Sequence, residues 1–184
     1  VFKVTNKKEF VSALKNRKNT TPKIVLVYGT IDFDTDDNGK PLTMKDYMVD
    51  GYDFQQYLET HKPQSTAPKS LKDEQEAKRK ASQKNQSKSI TVHVPSNTSI
   101  IGMDNAKLKG VNLVLDSDNV IIRNIQFESP YDYFPSWDPN DGPEGNWNSQ
   151  YDSISIKGGT HIWIDHSSFQ DGPETVEKYF GRKY

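Results

Sequence analysis

The sequence predicts an all-β solenoid, in which short parallel strands stack turn upon turn. Three observations predict it. From Ile90 onward the chain becomes a series of short β-branched runs separated by Asn, Asp and Gly, the pattern of strands and tight turns. Three of these runs, Asn97-Thr-Ser-Ile-Ile-Gly, Asn119-Val-Ile-Ile-Arg-Asn and His161-Ile-Trp-Ile-Asp-His, superpose with offsets of 22 and 42 residues, spacings that point to a solenoid. The 184 residues are 33% hydrophobic and include eight Phe, nine Tyr and three Trp, enough to build a core.

The segment Val1 to Asn16 sets Phe2, Val4, Phe10, Val11 and Leu14 among lysines, with Thr5 and Asn6 as candidate N-caps for a short helix over Lys7 to Lys15. Lys23 to Phe33 reads KIVLVYGTIDF, a β-branched run bounded by Pro22 and containing Gly29, and is a strand. Residues 34–89 turn polar and lysine-rich. Ser70 and Asp73 there match a capping box, and no regular apolar stripe follows, so the segment reads as a solvated helix in a long surface insertion. The competing reading of its lysines is a basic patch that steers an anionic polymer, weakened by salt.

Within the repeat, Phe127 falls opposite Phe169, and the extra length between the second and third copies is the Pro/Gly-rich loop 129–150. A single turn cannot bury its apolar face, whereas stacked turns share a core and pair their backbone groups. Parallel strands buried this way favour the Val and Ile found here. The polar residue that opens each copy is either a recurring turn former or a ligand group, and turn chemistry favours the first. The whole of 1–184 is therefore expected to be one domain.

Composition narrows the partners. With 24 basic and 25 acidic residues the formal charge is -1, which gives no reason to expect nucleic acid or an anionic membrane. The absence of cysteine excludes disulfides, thiolate zinc sites and a cysteine nucleophile. No apolar run approaches the roughly 20 residues needed to cross a bilayer. Val1 opens a polar segment without signal-peptide character, which suits a cytosolic protein or a processed mature form.

Residues 147–184 read WNSQYDSISIKGGTHIWIDHSSFQDGPETVEKYFGRKY, and this stretch resembles the pectate lyases of polysaccharide lyase family 1. WIDH after a YDSISIKGGTHI strand pair is that family's hallmark; KIVLVYGTID, NTSIIGM, NVIIRNIQFESP and FPSWDPNDGPEGNWNSQYD are similar to its segments, in its order. The resemblance implies a right-handed parallel β-helix, secreted to the cell exterior, that cleaves α-1,4-linked polygalacturonate (pectate) by β-elimination with Ca²⁺ bridging protein and substrate carboxylates. The chemistry has its own logic. Elimination removes a proton next to a carboxylate that already carries charge, and a bound cation offsets the charge that develops. Calcium takes about six to eight oxygen ligands, which aspartates and uronates supply.

Carried onto this chain, the resemblance makes Asp152 of the YDSI motif a calcium ligand. Gln150 stands where some family members have a second aspartate, and its amide oxygen is an uncharged substitute. Asp138, Asp141 and Glu144 make the preceding loop acidic; Asp141 is the best candidate there for an additional calcium, though Pro139 and Pro143 interrupt the spacing of an EF-hand. Trp163, Asp165 and His166 of the hallmark support the coil near the cleft. A catalytic triad or zinc reading of His161 and His166 lacks a nucleophile motif and suitable spacing.

The family's two further calcium-binding aspartates, its basic uronate-binding residues and its catalytic arginine lie beyond Tyr184. No catalytic residue is expected in this chain, and Arg182 in GRKY does not match the catalytic motif. The chain alone is therefore expected to be inactive, with a second polypeptide holding the remaining turns. Two alternatives stand beside the lyase: a β-helical pectin hydrolase, which needs paired carboxylates for acid and base, and a noncatalytic polygalacturonate-binding β-helix.

Overall fold

The computed structural model describes residues 1–143 and 145–172, together with the backbone of 178–179 and 182–183. The side chains of Glu144 and Arg182, both weighed above, lie outside this set. In chain order the elements are β1 (Phe2–Val4), α1 (Lys7–Ala13), β2 (Lys23–Asp32), α2 (Met44–Tyr47), α3 (Phe54–His61) and α4 (Lys69–Ile90). There follow β3 (Thr91–His93), β4 (Thr98–Lys109), β5 (Asn112–Leu115), β6 (Val120–Arg123), β7 (Gln126–Glu128), β8 (Ser136–Asp138) and β9 (Asn146–Asn148). The series ends with β10 (Ile154–Ile156), β11 (Ile162–Asp165), β12 (Ser168–Gln170), β13 (Lys178–Tyr179) and β14 (Arg182–Lys183). Two compact units result: Val1–Leu42 with Ser89–Tyr131 and Tyr151–Gly172, and Thr43–Lys88 with Asp132–Gln150 and Pro173–Tyr184.

The first unit is a coil of parallel strands. One ladder runs β1-β2-β4-β6-β11, with Val25 opposite Ile100, Ile100 opposite Ile122 and, by the same register, Ile122 opposite Ile164. The long strands β2 and β4 turn a corner, with a register shift between Tyr28 and Thr30, and their second halves continue into β7 and then β12, placing Ile31, Leu108, Phe127 and Phe169 in one column. A third ladder joins β3, β5 and β10 through Val92, Leu113 and Ile154. Val25, Ile100, Leu108, Leu113, Ile122 and Phe127 are fully buried. Each such side chain contributes about 1.5–3 kcal/mol relative to exposure, and the stacking lets each turn share the core of its neighbours.

The corners explain the polar residue that opens each repeat. Asn97, Asn119 and His161 have φ of 58°, 59° and 56°, the left-handed region in which Asn is one of the few tolerated side chains. The turn-former reading of these positions is therefore the one the backbone requires. Asn119 Nδ2 also donates to Asn97 Oδ1 at 2.9 Å, a rung between successive turns. At the next corner the backbones come closer still: a Cβ on Gly102 would lie 1.9 Å from the Asn124 carbonyl oxygen, so no other residue fits. The N-terminal helix α1 has the expected cap, Asn6, whose side chain accepts from the Glu9 amide at 2.9 Å, and stops at Ala13, two residues before the predicted end.

The second unit corrects the reading of the lysine-rich insertion. Its helix α4 begins at Lys69 after Pro68, so Ser70 sits inside the first turn and does not cap it. Nor is the helix merely solvated: Gln75, Arg79, Ser82 and Gln86 recur at helical spacing and are almost wholly buried. The buried stripe is polar, and it docks by hydrogen bonds to loop backbone. Gln75 Oε1 accepts from the Asp53 amide at 3.0 Å and its Nε2 donates to the Gly51 carbonyl at 3.1 Å. Ser82 Oγ accepts from the Val49 amide at 3.0 Å, and Gln86 Oε1 accepts from the Tyr133 amide at 3.2 Å. Arg79 donates to the Phe134 carbonyl at 2.8 Å and grips Glu76 through Nε and Nη2 at 2.9 and 2.8 Å.

Within the same unit, residues 132–150 are held by a buried carboxylate. Asp132 accepts from the Phe134 and Gln150 amides at 2.9 and 3.0 Å, while burial pushes its carboxyl above the ordinary aspartate value. The antiparallel pair β8–β9 then sets Trp137 opposite Trp147, ring centroids 5.2 Å apart, beside Tyr57, whose hydroxyl accepts from the Trp137 amide at 3.1 Å.

Candidate functional site

Asp152 leads into β10 on the third ladder of the coil. Tyr151 and Ser153 on either side are buried, whereas Asp152 is exposed. The Ser153 carbonyl accepts from the Leu113 amide at 2.9 Å, and the Ser153 and Ser129 hydroxyls are 3.3 Å apart. These contacts, with Ile154 in register opposite Leu113, fix the backbone that carries Asp152. Among the described residues nothing forms a hydrogen bond or ion pair with the Asp152 carboxylate. The carboxylate is thus carried on paired backbone and left exposed.

The other predicted ligands belong to the second unit. Asp141 is exposed in the turn after β8, its amide directed at the Asp138 carbonyl. Asp138 spends one carboxylate oxygen on the Asn140 amide at 2.9 Å, a local turn role. Gln150 is exposed, and its backbone N–H donates to Asp132 Oδ2 at 3.0 Å. Among the described residues no group of three or more acidic, His or Cys side chains converges as a metal site. One carboxylate does not fill a calcium shell of about six to eight oxygens. The described residues thus suit Asp152 as one ligand and do not form a complete site.

Trp163 and Asp165 lie on β11 and His166 directly follows it, in a different ladder from the one that Asp152 leads into. Arg123, opposite Asp165 on β6, clasps its carboxylate with Nε 2.8 Å from Oδ1 and Nη2 on Oδ2. His166 Nδ1 is 3.0 Å from Oδ2. The hydrogen bonds from Arg123 hold the Asp165 carboxyl well below the usual carboxylate range against the opposing effect of burial, and Trp163 and His166 add to the shift. This arrangement ties one turn of coil to the next. Trp163 itself is 61% exposed, so its indole is not part of the core.

Two further features of the coil had no signal in the sequence. Lys107 reaches Glu128, nearly buried, at 2.5 Å, a pair formed between adjacent turns in the column next to Ser129. Lys7 directs its ammonium to the Phe33 and Thr35 carbonyls at 2.9 and 2.6 Å and to Ser89 Oγ at 2.8 Å, and burial lowers its pKa despite the aspartates around it. Both join residues that only the coil brings together.

Comparison with known proteins accords with this geometry. The family described as pectate lyase matches residues 65–178. A pectate lyase of Bacillus subtilis (strain 168) is 53% identical over 188 residues, covering 100% of this chain and 45% of its own length. A solved pectate lyase studied for substrate specificity and the anti β-elimination mechanism superposes with a TM-score of 0.93 at 51% identity, covering 99% of this chain and 47% of that one. A pectate lyase bound to a hexasaccharide superposes with a TM-score of 0.91 at 51% identity and the same coverage. The chain thus spans less than half the length of these relatives, and its parallel coil is that of the right-handed β-helix in them. The chain belongs to the pectate lyase family.

Proposed function

We propose that this chain carries part of a secreted, calcium-dependent pectate lyase that cleaves α-1,4-polygalacturonate by β-elimination, and that further polypeptide supplies the rest of the relatives' length. The observation that carries the reading is Asp152: exposed, without a described partner, held on coil backbone, and placed in a chain that is 53% identical to a pectate lyase. In the reaction the C5 proton is removed, the electron pair forms the C4–C5 double bond, and the glycosidic oxygen departs from C4. Asp152 would hold calcium together with ligands outside the described set, and the cation would offset charge on the uronate carboxylate. What this chain does itself is position that carboxylate, through Ser153, Leu113 and the β5–β10 pairing. No described group serves as the base, so the chain alone is expected to be inactive.

An ultraviolet assay on polygalacturonate tests this, since the unsaturated product absorbs and a hydrolysis product does not. The expected result is chelator-sensitive absorbance when the chain is joined or mixed with polypeptide covering the remaining length, and none from the 184 residues alone. Chain cleavage without absorbance, or elimination indifferent to chelator, would contradict the reading.

A further inference from the structure

Ser153, the residue after Asp152, is 4% exposed and carries a hydroxyl. A buried hydroxyl left without a hydrogen bond costs about 1–3 kcal/mol, so its partner matters. Among the described residues the Ser153 hydroxyl has one side-chain partner, the Ser129 hydroxyl at 3.3 Å, and either oxygen can donate. The contact spans 24 residues of sequence. It joins the residue that follows β7 to the residue that precedes β10, strands of two different ladders of the coil.

Ser129 is held by the turns on both sides of it. The peptide group between Glu128 and Ser129 accepts from the Gly110 amide at 2.9 Å through its carbonyl and donates to the Gln170 carbonyl at 3.0 Å through its N–H. The Glu128 side chain, nearly buried, adds the ion pair with Lys107 at 2.5 Å. Three turns of coil therefore meet at this peptide, and the Ser129 hydroxyl projects from a fixed backbone. Asp152 is the opposite case, exposed and with no described partner for its carboxylate. The direction of that carboxylate is set by the backbone of its neighbours. On the Ser153 side this backbone is held by the Leu113 amide on the Ser153 carbonyl and by the Ser129 hydroxyl on the Ser153 side chain.

We propose that Ser129 is a positioning residue for Asp152: through the Ser153 hydroxyl it fixes the peptide that joins Asp152 to Ser153, and with it the direction in which the Asp152 carboxylate meets a cation. The inference rests on the calcium role proposed above for Asp152. Ser129 orients and does not coordinate. Without its oxygen the buried Ser153 hydroxyl must turn to another partner or stay unpaired, and the adjoining peptide turns with it. A group that orients a metal ligand typically contributes about 10–100-fold to metal affinity, since a ligand held loosely has to be ordered by the metal itself.

The test is calorimetric titration of calcium into the chain joined to polypeptide covering the relatives' remaining length. Ser129→Ala should raise the calcium Kd about tenfold, and Ser129→Thr, which keeps the hydroxyl, should bind as the wild type does. In a Ser153→Ala background the Ser129→Ala change should have no further effect, because the group it acts through is gone. Circular dichroism of each variant checks that the coil is intact. That coupling separates orientation from a general loss of structure, which would weaken binding in both backgrounds. An unaltered Kd in Ser129→Ala, or an equal shift in both backgrounds, overturns the proposal. Asp152→Asn is measured alongside. If it leaves the calcium Kd in place, the calcium reading of Asp152 fails and takes this inference with it; a shift in Asp152→Asn with none in Ser129→Ala removes the role of Ser129 alone.

Discussion

Phe169 lies parallel to Phe127, ring centroids 5.0 Å apart and planes 5° apart, in register across adjacent turns of the coil. Phe127 is fully buried beneath it and Phe169 is 53% exposed. Removing the inner ring therefore leaves a cavity, while removing the outer ring mostly uncovers its neighbour. Phe127→Ala should cost about 3–5 kcal/mol and Phe169→Ala about 1 kcal/mol, with a coupling of about 0.5–1.5 kcal/mol in a double-mutant cycle of denaturant unfolding.

The corner asparagines give a prediction that separates backbone from side chain. Asn119 needs its positive φ and also donates to Asn97. Asn119→Gly keeps the conformation and loses the rung; Asn119→Ala loses both. The alanine variant should be the less stable of the two by about 1 kcal/mol or more, measured as the difference between their unfolding midpoints at equal slope.

Arg79 anchors the second unit, since it is almost fully buried and satisfies the Phe134 carbonyl as well as Glu76. Burial by itself would lower its pKa, and the Glu76 hydrogen bonds more than reverse that. Arg79→Ala takes the bidentate partner from the half-buried Glu76 carboxylate and leaves the Phe134 carbonyl to Gln83 Nε2 at 3.3 Å, with an expected loss of about 1.5–3 kcal/mol. Hydrogen exchange should show the loss first in α4 and residues 132–150; unchanged protection there would remove the assigned role.

Asp165 provides a pH dependence. Its folded-state pKa is depressed, first by Arg123, so its contribution to stability is present above the unfolded aspartate value and is lost as pH falls through the lower folded value. Carbon-detected titration should find Asp165 ionised well below the usual range in the wild type. In Arg123→Gln it should move back up. A normal midpoint in the wild type would mean that the Arg123 clasp does not form.

Legibility in the sequence followed the physics of each part. The β-helix repeat could be read because a stacked core repeats its own requirements: offsets of 22 and 42 residues reappear as the pairing Thr98↔Val120 and Val120↔Ile162, and Phe127 meets Phe169. The docked face of α4 could not be read in this way. Its buried residues are Gln75, Arg79, Ser82 and Gln86, and polar side chains at helical spacing look solvated until the loop amides and carbonyls that meet them are known. Asp152 stood out through its motif alone, because among the described residues its neighbourhood shows one exposed carboxylate and no converging ligands.

The most direct test of the account is calorimetric titration of trigalacturonate with and without calcium into the chain joined to polypeptide covering the relatives' remaining length, comparing the wild type with Asp152→Asn. Calcium should tighten binding in the wild type about tenfold or more, a gain of about 1.4 kcal/mol, and the substitution should abolish that gain. A calcium effect that survives in Asp152→Asn, or that is missing from the wild type, would contradict Asp152 as the calcium ligand this chain provides.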